Sequence, residues 1–141
     1  MARPTVLLLI PPLTQLNTPY PSTAYLTGFL RSKGVPCEQA DLGIEMVLRL
    51  FCRDGLARVF AELAPREEAL PVEARRMIGN RAAILDAIDP VVAYLQGRAP
   101  ELSAVFARRG SVPQGPRFRT RQPLPRHASR DDKAKQTATL F

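Results

Sequence analysis

From Thr5 to Ile10 the chain reads TVLLLI, an apolar run without alternation. Such a run predicts a strand covered on both faces, as in a parallel sheet packed between helices. A polar, proline-rich loop follows over residues 11–21. Ser22 or Tyr20 can cap a helix there, with Pro21 in its first turn. Leu26, Phe29 and Leu30 recur at helical spacing on one face, and Gly34 ends the helix. VPCEQADL, residues 35–42, is a weaker second strand anchored by Val35, Cys37 and Leu42. Strand, helix and strand in about forty residues make a βαβ unit with a right-handed crossover.

The apolar period then becomes helical. Ile44, Val47, Leu48 and Phe51 form one stripe, and Leu56, Val59, Phe60 and Leu63 another, with Asp54 as a cap between them. Pro71 opens a helix that turns Ala74, Met77, Ile78, Leu85 and Ile88 inward. Asp89 as cap and Pro90 at the first position start the next one, which stops at Gly97. Residues 99–110 make a short helix burying Leu102, Val105 and Phe106. After Ser111 the periodicity fades, and SVPQGPRFRTRQPLPRHASR carries four prolines and five arginines. That segment is expected to be irregular. DDKAKQTATLF then begins a helix capped by Asp131 or Asp132, with Ala134, Ala138 and Phe141 on its apolar side.

The expected class is therefore α/β. A partial Rossmann-like βαβ unit, with strands near 5–10 and 35–42, leads into a mainly helical region and an irregular basic C-terminal tail. The expected divisions are a domain over 1–110, a basic linker over 111–130 and the start of a truncated helix over 131–141. One inconsistency stands out. A strand buried on both faces needs neighbours on both edges, but only residues 35–42 offer a convincing one. Either another chain supplies strands, or the sequence belongs to something longer.

Composition changes this picture little. The chain has 141 residues, 45% of them apolar, which suits one small domain. Its 14 prolines are roughly double the usual share of about 5%. Net charge is +7, and residues 119–141 hold 6 Lys+Arg against 2 Asp+Glu. A basic tail can meet phosphates, but this one lacks the interleaved aromatics of a single-strand binder. Nucleic acid is thus a weak partner expectation. Residues 6–13 are too short and proline-interrupted for a signal peptide or a span, so a cytoplasmic location without membrane contact is expected.

Candidate chemistry lies beyond the carboxyl ends of the strands, where open α/β sheets bind ligands. The loop occupies the position of a glycine-rich phosphate loop, yet it has no glycine and four prolines, Pro11, Pro12, Pro19 and Pro21. Thr14, Gln15, Asn17, Thr18 and Tyr20 supply neutral hydrogen-bonding groups and no cation, which suits a large neutral ligand or an interface better than an anion. Asp41 can accept from a ribose hydroxyl, or it can cap the helix that begins near Ile44. Cys37 and Cys52 are too far apart in sequence to suggest a zinc site, and no catalytic set emerges.

LLLIPPLTQLNTPYPSTAYLTGFLRSKG, QADLGIEMVLRLF and GLARVF together resemble the N-terminal region of bacterial radical SAM proteins that carry a cobalamin-binding-like domain. The resemblance covers about residues 5–110, with IDPVVAYLQG and ARRGSVPQGPRF in keeping. It implies a Rossmann-like domain that precedes a barrel. In that family the barrel holds a four-iron cluster on CxxxCxxC and cleaves S-adenosylmethionine. It also implies cobalamin as the ligand facing the loop, and the radical SAM region, or another chain, as the partner that completes the sheet. This chain departs from the family in two motifs. It has no CxxxCxxC and no DxHxxG, and its only histidine is His127. Iron–sulfur and S-adenosylmethionine chemistry is therefore expected only of a full-length parent. RTRQPLPRHASR fits the family poorly while DDKAKQTATL fits again, which suggests a truncated or frame-disturbed gene product. The alternative function is an interaction module whose basic tail meets an acidic partner or nucleic acid.

Overall fold

A computed structural model of the chain describes residues 5–14, 20–108, 110–118 and 122–141. It divides into two compact units, residues 1–50 and 51–141.

The first unit is the expected βαβ with one helix appended. Strand β1, Val6–Ile10, pairs in parallel with β2, Cys37–Asp41, in a two-stranded sheet. Helix α1, Ser22–Ser32, is the crossover, and α2, Leu42–Leu50, follows β2 directly. Gly34 at φ 70 supplies the left-handed residue that turns the chain out of α1 toward β2. The Arg31 guanidinium donates to the Cys37 carbonyl at 3.3 Å, and the Cys37 thiol donates to the Thr27 carbonyl at 3.5 Å. These bonds tie helix to strand.

The packing of this unit differs from the pattern's expectation. Ile10 is buried, but Leu7 and Leu9 are 56% and 46% exposed. One face of β1 is covered and the other is open. On α1 the buried residue is Thr27, while Leu26 and Phe29 point outward, 50% and 59% exposed. Thr23, Thr27 and Leu30 are the more buried positions of that helix. Small β-branched threonines let it sit close on a narrow sheet. In α2 the stripe also faces out: Ile44 and Leu48 are exposed, and Gly43 is the buried residue.

The second unit holds most of the core. It comprises α3 (Arg53–Leu63), a 3₁₀ segment (Ala64–Ala69), α4 (Val72–Gly79), α5 (Arg81–Leu95), α6 (Ser103–Phe106) and α7 (Arg130–Leu140). Phe60, Ile78 and Ile84 make one buried cluster. Val91, Tyr94, Phe106, Val112, Ala134 and Ala138 make another, in which the Tyr94 and Phe106 rings meet edge to face at 5.2 Å.

Several boundaries move. The helix expected from Pro71 breaks at Asn80 into α4 and α5, whose flanks share that residue. Met77 lies outward, 53% exposed. Pro90 sits inside α5 rather than at a helix start, and the Asp89 carboxylate accepts from the Arg53 amide at 2.9 Å. Asp89 therefore caps a different helix across space. For α3 the local cap is Cys52, whose sulfur accepts from the Gly55 amide, in place of Asp54. The short helix over 99–110 contracts to α6 behind a 3₁₀ turn at Pro100–Leu102, and Val105 is exposed.

At the C-terminal end the helix expected over 131–141 is present as α7, and its apolar side packs into the core of the second unit. Ser129 caps α7 in a reciprocal box with Asp132. Ala134 is 0% exposed and Ala138 is 3% exposed. Two alanines four residues apart give α7 a flat face, which can approach the aromatic pair of α5 and α6 closely.

Candidate functional site

The parallel register places Ile10 opposite Asp41. The carboxyl end of the sheet therefore gathers the start of the proline-rich loop and the end of β2, as the sequence predicts. Pro11 and Pro12 lead into Leu13, which adopts φ 66 and is 86% exposed. A leucine in the left-handed region is an unusual conformation for a branched side chain. The Thr14 hydroxyl donates to the Pro11 carbonyl at 3.2 Å, closing this turn on itself. Beyond the loop, Pro21 takes the cap position of α1 without a side-chain capping bond, and Tyr20 is 43% exposed.

Asp41 meets the start of α2. Its Oδ1 accepts from the Ile44 amide at 3.0 Å. It thereby satisfies one free N–H in the first turn of α2, which is a capping role. One carboxylate oxygen is thereby engaged within its own chain.

Thr14 follows β1 by four residues, Asp41 ends β2 and Tyr20 precedes α1, while Gln15, Asn17 and Thr18 lie outside the described residues. A corrin periphery rich in amides needs several neutral partners at once. Thr14 donates within its own turn and one Asp41 oxygen caps α2, while acceptor capacity remains on Thr14 and Asp41 and the Tyr20 hydroxyl carries no bond among the described residues. The described residues alone supply few of those partners, and no chemical step is derived through cobalamin. Among the described residues, no three histidine, cysteine or acidic side chains lie together as a metal set. None of the described helices is long and apolar enough to cross a membrane.

No family model, curated protein or solved structure matches the chain. Its function has to be read from its own surfaces.

One such surface escaped the sequence reading. Leu7 and Leu9 point away from the covered face of β1. In a run of five apolar residues every position looks like core, so no alternation marks which face is open. The signal that bears on it is the shortage of neighbouring strands.

The second unit carries the marked electrostatics. The Tyr94 hydroxyl donates to Asp131 Oδ1 at 2.7 Å, and Lys135 Nζ pairs with Asp131 Oδ2 at 2.7 Å. Burial, and then the bond to Asp131, push the Tyr94 hydroxyl above its ordinary range. The Lys135 bond and then the Tyr94 bond hold Asp131 below the usual carboxylate range. Asp132 is lowered by the Ser129 hydroxyl and amide. Each group is held in its resting protonation state. The trio clamps α7 to α5, and it is not poised for proton transfer near neutrality.

Proposed function

We propose that residues 5–50 form a docking unit: a Rossmann-like half-sheet that is completed by strands from outside this segment. In this reading the natural completion is the remainder of a cobalamin-binding-like domain and radical SAM region, as the resemblance of the loop and α1 suggests. The chain contributes a stiff ledge and an apolar sheet face, and no catalysis of its own.

The observation that carries the reading is the open face of β1. A parallel strand of five apolar residues, with Leu7 56% and Leu9 46% exposed, is ordinary in the middle of a covered sheet. It is unusual on a surface, where it exposes both apolar area and unpaired edges. Strand addition pairs the edges through backbone bonds, and the helical layer that accompanies added parallel strands covers the open face. The four prolines of the loop support the same role. They restrict the chain before docking, so less conformational freedom is lost on association.

Co-expression provides the test. The partner is a cobalamin-domain radical SAM protein deleted of its own first βαβ unit. A stable one-to-one complex is expected on size exclusion. The double variant Leu7→Lys, Leu9→Lys should abolish it while keeping its circular dichroism. Failure of the wild-type chain to associate, with both proteins folded, overturns the proposal.

A further inference from the structure

The second unit contains a cavity of about 490 Å³, bounded by the end of α6, the segment after it and one flank of α7. Its volume falls in the range of small-molecule sites, about 300–1,000 Å³. Its walls divide by chemistry. Arg108 and Lys133 bring two cations, and Gln114 and Gln136 bring amides. Phe118 and Leu124 bring apolar surface, and no carboxylate lines the space among the described residues.

The walls are anchored. Arg76 donates to the Gln114 carbonyl at 3.1 Å, and Gln136 Nε2 donates to the Gln122 carbonyl at 2.7 Å. These bonds fasten the irregular segment to α4 at one point and to α7 at another. Gly110 at φ 73 makes the left-handed turn that carries the chain away from α6 beside Arg108. Neighbouring acids are otherwise engaged, Asp131 with Lys135 and Tyr94, and Asp132 with Ser129. Arg108 and Lys133 have no ion-pair partner among the described residues. Two like charges beside one cavity repel each other, and among the described residues no carboxylate pairs with either.

We propose that this cavity binds a small organic phosphate: a phosphate monoester on a flat apolar body, with Arg108 and Lys133 on the phosphate and Phe118 against the body. Arginine suits a phosphate through two parallel N–H bonds, and lysine adds a point charge. The free Oε1 of Gln136 is left to accept from a ligand hydroxyl or amine. This site is separate from the sheet edge of the first unit and does not rest on the docking proposal.

Phenyl phosphate and inorganic phosphate are the probes, titrated into the full chain at low salt and followed by calorimetry. Phenyl phosphate is expected to bind saturably and more tightly than inorganic phosphate. Arg108→Gln and Lys133→Gln should each weaken it about tenfold, the loss of one charged hydrogen bond. Phe118→Leu should weaken phenyl phosphate and leave inorganic phosphate unchanged. Arg58→Gln, a cation on α3 outside the cavity, should change neither. Should a cavity variant fail to fold, amide shift mapping on the wild-type chain takes its place, with the largest changes expected at Arg108 and Lys133. Absence of saturable binding, an equal loss in Arg58→Gln, or shift changes scattered over the basic surface would each overturn the proposal.

Discussion

Thr27 shows how a single side chain departs from what its type suggests. It is 4% exposed, and its hydroxyl has no hydrogen-bond partner among the described residues. A buried unpartnered hydroxyl carries a desolvation cost that an isosteric methyl does not. Thr27→Val should therefore leave the first unit as stable or stabilise it by about 1 kcal/mol, read as a shift in the urea midpoint at constant slope. A loss of more than that amount would mean the hydroxyl has a partner, such as a buried water. Cys52 makes the opposite case. Its sulfur accepts from the Gly55 amide at 3.3 Å and caps α3. Cys52→Ser should keep the cap, while Cys52→Ala should cost about 1 kcal/mol in the same measurement. The sequence pointed to Asp54 for this role, because cysteine is a rare cap and aspartate a common one. Asp41 is readable from sequence in both its possible roles, and the 3.0 Å bond from the Ile44 amide supports the capping one.

Elements were readable where periodicity was strong and misplaced where it was not. The βαβ order follows directly from TVLLLI, the loop and VPCEQADL. The α4–α5 break at Asn80 and the proline inside α5 did not follow, because Asp-Pro is a strong local start signal. Tertiary contact overrides it: Asp89 bonds to the Arg53 amide, and Ile88 and Val91 on either side are buried. Helix α7 follows from the sequence, with Ala134 and Ala138 on its apolar side, but the depth of their burial does not, since alanines carry little apolar signal by themselves. Their burial makes a prediction at this scale. Ala134, at 0% exposure, has no room for a larger side chain, so Ala134→Leu should cost about 1–3 kcal/mol by overpacking. The clamp at the start of α7 predicts acid sensitivity. Asp131 and Asp132 are both held below their ordinary carboxylate range when folded. A lowered folded pKa adds stability above the unfolded value, about 3.9, and that stability is lost as pH falls through the folded value. Near-ultraviolet dichroism of Tyr94 should thus hold steady from neutrality to about pH 4 and decline below it. Asp131→Asn should flatten that decline, and a profile unchanged by the substitution would assign it to other carboxylates.

At the level of the whole molecule, the two units differ in how much they bury. Among the described residues the first encloses Ile10, Cys37 and Thr27, whereas the second encloses eleven apolar residues, among them Phe60, Ile78, Tyr94 and Phe106. Stability of a region follows its buried apolar contacts, and regions with few of them open first. The backbone amides of β1 and β2 should therefore exchange with solvent at least about a hundredfold faster than those in the middle of α5, a difference of about 2.7 kcal/mol in opening free energy. Native-state hydrogen exchange at neutral pH measures this directly, residue by residue. The Leu7→Lys, Leu9→Lys variant adds a second comparison. Both side chains are already exposed, so their replacement should leave β1 protection nearly unchanged in the isolated chain. In the complex with a sheet-completing partner, wild-type β1 should gain protection, because new strands pair its edge and the partner's packed layer covers its open face. The double variant should show no such gain. Equal protection of β1 and α5 in the isolated chain would mean that the first unit draws stability from something other than its buried side chains. The open face would then be a tolerated surface, with no need of a partner to cover it.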